Sequence, residues 1–180
     1  LDEKSMYQIM RQDIEEKVSL DSTDFLKKLD NYDAIVISDY NKGLLTDGII
    51  QSITKNFKGP IFVDSKRKDL TLYKKAIIKI NEIESRSAKI NKECELIVTC
   101  GKRGANYKGL NYPAPKVNVY DVTGAGDVFL ASLCYFYLEL GSIELSIPKC
   151  IYLASKSVNK IGSYIISKKD IYEIYNWYRW

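Results

Sequence analysis

The chain has 180 residues, enough for one ordinary domain with a sizeable core, and its 46% apolar and 28% charged shares are normal for a globular protein. A net charge of +4, from 27 basic and 23 acidic residues spread along the chain, is too mild to argue for nucleic acid and suits an anionic small molecule. The sequence has no bilayer-length apolar run and no apolar leader; its four cysteines lack metal spacing and histidine is absent, which argues against zinc, excludes His-based catalysis within the chain and gives a reducing cytoplasm as the expected setting.

Residues 1–20 do not read as part of a sheet and are expected to form an appendage, with one domain over 21–180. Residues 34–37 read as a buried strand, 46–57 as a helix with Ile49, Ile50 and Ile53 on one side, and 61–63 as the next strand after the Gly59-Pro60 break. A short helix or turn over 73–76 precedes a strand at 77–80. A polar helical stretch over 82–91 leads to a strand at 96–99. Strands separated by helix-sized spacers favour parallel βαβ units, and their unbroken apolar runs suit a sheet covered on both faces. Residues 105–108 and 117–119 then read as short antiparallel strands around a turn at Gly109-Leu110-Asn111. A helix from Gly126 to about Leu140 is apolar nearly all round and is expected to be buried. A second, from Ser142 or Ile143 to Asn159, carries Leu145, Ile151, Ala154 and Val158 on one stripe, with Pro148 able to kink or restart it, and a last helix begins at Asp170.

Chemistry concentrates in Asp121-Val122-Thr123-Gly124-Ala125-Gly126-Asp127, where two acids bracket a small-residue turn that opens into the apolar helix. The unpaired N–H groups of a helix start, at the positive end of its dipole, form a ready anion site. Asp127 beside such an anion reads as a general base for an attacking hydroxyl; it equally reads as an acid that merely favours the helix dipole. In an open parallel sheet ligands bind at the carboxyl ends of the strands. Asp39, Tyr40 and Lys42 follow the first strand there; Asp64, Lys66 and Lys68 follow the second, Asn81 and Glu84 the third, and Thr99, Gly101 and Gly104 the fourth. Each is weak alone, because strand ends are polar for structural reasons too; their shared location raises their weight. No GxxxxGK[ST] and no GxGxxG occurs, which excludes a P-loop NTPase and disfavours a dinucleotide-binding dehydrogenase.

The Asp121–Asp127 stretch resembles the C-terminal signature of the ribokinase-like (PfkB) carbohydrate kinases. Asn81-Glu82-Ile83-Glu84 is similar to their N-x-x-E motif, and Thr99-Cys100-Gly101-Lys102-Arg103-Gly104 to their T-x-G-x-x-G turn. The match covers nearly the whole chain. Ser38-Asp39-Tyr40-Asn41-Lys42-Gly43 and Val63-Asp64-Ser65-Lys66 look closest to the heptose-7-phosphate kinase half of bifunctional ADP-heptose synthases, and residues 1–20 to the end of that family's lid region.

This resemblance implies a three-layer αβα fold with a mostly parallel sheet, of which 21–180 is the nucleotide-binding core. It implies an ATP-dependent phosphotransferase acting on a sugar or sugar phosphate, with ATP and Mg²⁺ as cofactors and a monovalent cation as a further candidate. Asp127 would be the base, and Gly124, Ala125 and Gly126 the anion hole. Asn81 and Glu84 would organise Mg²⁺, Glu84 through water. Thr99, Gly101 and Gly104 would line the nucleotide phosphates, with Asp121, Asn159 and Gly162 also on the nucleotide side. Asp39, Lys42 and Lys66 would face the sugar phosphate, and for the lysines a solvated basic surface is the rival reading. Family members are longer, and their N-terminal half supplies the first strands, the lid and most sugar contacts. Without them one edge of the sheet is left open, so a homo-oligomer or pairing with the missing half is expected. The C-terminal Tyr172, Tyr175, Trp177, Tyr178 and Trp180 would either join that contact or hold the last helix on the domain. The alternative reading is a non-catalytic or partner-dependent half-kinase that only binds nucleotide.

Overall fold

The computed structural model describes residues 24–162 and 164–177. The expected appendage over 1–20 lies outside the described residues, as do Tyr178, Trp180 and the side chain of Trp177. After a short 3-10 helix (Asp24–Asn31), the order is β1 (Ile35–Asp39), α1 (Asp47–Asn56), β2 (Ile61–Ser65), β3 (Ile77–Asn81), α2 (Glu82–Ser85), β4 (Glu95–Thr99), β5 (Ala105–Tyr107), β6 (Leu110–Tyr112), α3 (Ala125–Leu140), α4 (Ile143–Ser157) and α5 (Lys168–Trp177). The six strands form one sheet in sequence order, with β1 to β4 parallel and β5 and β6 antiparallel. This is the expected mostly parallel three-layer α/β arrangement.

The layers follow from the strand period of two. Ile61 and Val63 of β2 and Ile78 and Ile80 of β3 point into a core shared with α1, Leu70 and Tyr73. Phe62 and Ile77 point to the other face, where Leu133 and Phe136 of α3 and Ile147 and Leu153 of α4 are fully buried. Burying each such side chain contributes about 1.5–3 kcal/mol. Asp64 and Lys79 fall two residues beyond Phe62 and Ile77, on that same face toward α3. Thr46 caps α1 by accepting from the Ile49 amide at 3.3 Å.

Several elements depart from expectation. The helical stretch over 82–91 is only one turn, because residues 86–91 bend back to bridge the segment after β2: the Leu70 amide donates to the Lys89 carbonyl and the Lys89 amide to the Lys68 carbonyl, each at 2.8 Å. The second antiparallel strand is Leu110–Tyr112, not 117–119, because Lys108 and Gly109, with φ of 50° and 79°, close a two-residue hairpin. Helix α3 is buried on one side only, with Tyr135 and Leu138 about half exposed. The buried stripe of α4 runs through Ile143, Ile147, Cys150 and Ile151 while Leu145 is exposed, and the helix passes Pro148 as one element. Tyr172 is exposed, whereas Tyr175 packs on the core and donates its hydroxyl to Glu139.

Helix α5 starts at a capping box, Ser167 with Asp170, which also receives Lys156 at 2.6 Å and the Tyr164 hydroxyl at 2.7 Å. Burial opposes ionisation of Asp170, but the bonds from Lys156 and Ser167 outweigh it and hold the carboxyl well below the usual range, while burial and the same carboxylate push the Tyr164 hydroxyl up to about 12. Asp170→Ala is expected to cost about 2–4 kcal/mol, read as a lowered denaturation midpoint. A carboxyl depressed in the fold stabilises above its unfolded pKa, so this contribution is complete above about pH 5 and declines as the pH falls below the aspartate range.

Among the described residues β1 pairs only with β2, and its outer edge is open with Val36 48% exposed. No described helix is long and apolar enough to cross a membrane.

Candidate functional site

The carboxyl ends of β1 to β4 and the start of α3 enclose a cavity of about 900 Å³. Its polar wall holds Asp39, Lys66, Asn81 and Thr99 from the strand ends, and Gly101 and Gly104 from the turn after β4. Ala125, Gly126 and Asp127 bring in the first turn of α3, and Val119, Val122, Ala154 and Val158 supply an apolar wall. Of the other sequence candidates, Gly124 is the left-handed residue just before α3, while Glu84, Asp121, Lys42, Asn159 and Gly162 do not line the cavity.

The first turn of α3 has no side-chain cap; only the Ala125 amide turns back, to the Val122 carbonyl at 3.3 Å. The first N–H groups of a helix project from its end, so this turn offers donors to an anion. Asp127 is exposed at that turn, and no described residue bonds its carboxylate. The loop before α3 is tied down by Asp121, which accepts from the Thr123 amide at 2.8 Å and the Gly162 amide at 3.0 Å.

The Asn81–Glu84 motif builds a capping box. Asn81 Oδ1 accepts from the Glu84 amide and Glu84 Oε2 from the Asn81 amide, both at 2.9 Å. Glu84 Oε1 takes Lys66 at 2.6 Å, and Lys66 Nζ also lies 3.9 Å from Asp64 Oδ1. Burial opposes both charges of the Lys66–Glu84 pair, but their mutual bond prevails, raising the Lys66 pKa and lowering that of Glu84.

Asp39 is a hub. It accepts from the Asn41 amide at 2.8 Å, Ser65 at 3.1 Å, the Tyr73 hydroxyl at 2.8 Å and Arg67 Nε at 2.6 Å. Burial works against its charge, and the bonds from Tyr73, Asn41 and Arg67 more than offset it, so its carboxyl sits below the usual range. Arg67 also reaches Asp47 at 2.7 Å and the Leu45 carbonyl, clamping the β1–α1 loop.

The turn after β4 closes with the Gly104 amide donating to Gly101 at 2.9 Å and the Cys100 amide to Gly104 at 2.7 Å. Thr99 Oγ1 donates to the Ile80 carbonyl at 3.3 Å, holding β4 to β3. Sequence reasoning missed Lys79, which is 4% exposed, donates to Asp64 and lines the cavity. The available signal was a lysine inside the apolar run Ile77-Ile78-Lys79-Ile80.

The pattern of the pfkB family of carbohydrate kinases matches residues 66–170. The chain is 31% identical to the bifunctional protein HldE of a Nitratiruptor species, over 94% of this chain and 43% of that protein. It is 34% identical to HldE of Helicobacter pylori (strain Shi470), over 84% of this chain and 39% of that protein. It thus spans less than half the length of these relatives. Among solved structures its fold is similar to Arabidopsis thaliana ribokinase complexed with ribose and ATP, with a TM-score of 0.66 and 19% identity over 85% of this chain and 59% of the other. It is likewise similar to Escherichia coli phosphofructokinase-2 in complex with potassium, with a TM-score of 0.66 and 16% identity over 84% of this chain and 60% of the other.

Proposed function

The chain belongs to the pfkB family of carbohydrate kinases, and on that premise we propose that its cavity transfers the terminal phosphoryl group of ATP to a hydroxyl of a sugar phosphate of the heptose 7-phosphate kind. The observation that carries this reading is the meeting, in one cavity, of the uncapped first turn of α3, the Asp127 carboxylate and the Gly101–Gly104 turn. Asp127 takes the proton as the sugar oxygen attacks, and ADP leaves. Backbone donors at Gly124, Ala125 and Gly126 stabilise the charge on the moving phosphoryl group, the Ala125 amide exchanging its long bond to Val122 for the phosphoryl oxygen. Thr99, Gly101 and Gly104 border the nucleotide phosphates, and the apolar wall takes the adenine, with Asn159 beyond it. Asp121 and Gly162 hold the loop that carries the anion hole.

Lys66, which lines the cavity, offers positive charge to the acceptor's phosphate, with Lys42 in the loop after β1 as a further donor of charge. Asp39 acts by holding Arg67 and the β1–α1 loop rather than by touching the sugar, since its oxygens already take internal donors. Among the described residues no group of three or more acidic, His or Cys side chains could hold a metal. Mg²⁺ carried on the nucleotide phosphates fits the Glu84 carboxylate, which Lys66 and the Asn81 amide hold in place and which would be reached through water. When bound, the ion neutralises phosphate charge. Titration with ATP and Mg²⁺ tests the reading: saturable heat at sub-millimolar nucleotide is expected, and none at millimolar ATP would overturn it.

The edge of β1 that no described strand pairs favours a second arrangement of the same site, in which a further copy or a complementary chain supplies strands and sugar contacts. Light scattering then reports an assembly, and nucleotide binds without turnover in the isolated chain.

A further inference from the structure

Lys79 is buried in the middle of β3, between core isoleucines. Its ammonium donates to Asp64 and, at 3.4 Å, to the Gly126 carbonyl in the first turn of α3. An ammonium has three N–H donors, and no described residue takes the third, while the residue lines the cavity. A Cβ placed on Gly126 would fall 2.9 Å from Lys79 Nζ, so the charge lies directly against that turn. The carboxylate opposite is poised too: Asp64 Oδ1 is buried with no hydrogen-bond partner.

Stability gives little reason for such a pair, because taking two charges out of water cancels most of their attraction. An apolar pair would hold the same sheet face against α3. What the ion pair adds is an ammonium N–H donor fixed at the helix start. The helix itself offers only about half a charge there.

We propose that Lys79 is a catalytic residue whose ammonium hydrogen-bonds the terminal phosphoryl group of a nucleoside triphosphate seated at the first turn of α3. Asp64 aims it, and the small Gly126 leaves room for it. The inference rests on the kinase reading. It distinguishes the terminal phosphoryl group, which touches Lys79, from the two inner phosphates, which lie toward the Gly101–Gly104 turn. In transfer, the ammonium neutralises charge on the moving group, while the proton of the attacking hydroxyl goes to Asp127.

The test compares a non-hydrolysable ATP analogue with ADP, each titrated with Mg²⁺ into the wild-type chain and into Asp64→Asn/Lys79→Met, which removes both charges and orphans neither. Triphosphate affinity is expected to fall about 10–100-fold, the weight of a charge-assisted hydrogen bond, with ADP affinity unchanged. Thermal unfolding of the double variant is expected to stay near wild type. If the double variant does not fold, Lys79→Gln is scored by the same affinity ratio. Equal losses for both nucleotides, or no loss, overturn the proposal and leave the kinase reading standing. A wild-type chain that binds neither nucleotide overturns both.

Discussion

Asp127→Asn is expected to lower phosphoryl transfer about 10²–10⁴-fold while leaving nucleotide affinity nearly unchanged. The substitution keeps size and polarity and removes only the ability to take a proton. The carboxylate sits in the first turn of α3, exposed at the cavity, with no described residue bonded to it. Asp39, which lines the same cavity, shows what a structural acid looks like here: buried, and bonded on both oxygens. If Asp127 served only the helix dipole, its loss would cost about 0.3–1 kcal/mol of stability and little activity. Parallel measurements of ADP release and of thermal midpoint therefore separate the two roles. A large rate loss at an unmoved midpoint marks the base; a lowered midpoint with retained turnover marks the dipole acid.

Gly104→Ala is expected to destabilise the fold by about 2–5 kcal/mol, from a backbone poorly suited to an L side chain together with an overpacked site. Gly104 has a φ of +93°, and a Cβ there would lie 1.9 Å from the Tyr112 carbonyl oxygen, which no side-chain shift can relieve. That carbonyl belongs to β6, which pairs through β5 with β4, so the strain reaches the strand end that carries Thr99. Gly101 supplies the control. It too has positive φ, at +55°, but nothing lies within 4 Å of its Cβ position. Gly101→Ala is expected to cost about 1 kcal/mol, the backbone component alone. Equal losses at the two positions, in denaturant titrations, would show that close approach to β6 is not what Gly104 provides.

Much of the fold was legible because the parallel strands are continuous apolar runs bounded by turns. Ile61-Phe62-Val63 and Ile77-Ile78 are buried on both faces and leave no other role for such sequences. What escaped was set by tertiary contacts or by unusual turn residues. Lys108-Gly109 closes a hairpin more often built on Asn-Gly, so the strand that follows starts at Leu110, earlier than the residue pattern suggests. Helical periodicity past Ser85 lost to backbone pairing between Lys89 and the Lys68–Leu70 segment. In α4 the apolar stripe through Leu145, Ile151 and Ala154 holds at Ile151 and Ala154, but Leu145 faces solvent and Ile143, Ile147 and Cys150 make the contact instead.

The site divides in the same way. Its glycines and Asp127 were legible, since a small-residue turn before an apolar helix has a direct physical meaning. Asn81 and Glu84 were legible as a pair, yet their first structural act is to cap a single helical turn and hold Lys66. Asp39 read as a strand-end polar residue, and only the fold could bring Arg67 and Tyr73 onto it. Lys79 was hidden because a lysine in an apolar strand has no local signature for the carboxylate that receives it across the sheet.

The most direct measurement is ADP release from ATP and Mg²⁺, followed with and without heptose 7-phosphate, in the wild-type chain and in Asp127→Asn. The account predicts ADP release that depends on the sugar phosphate and collapses in the variant. Acceptor-dependent release that survives Asp127→Asn would contradict it, as would nucleotide binding with no acceptor-dependent release by the chain in any assembly state.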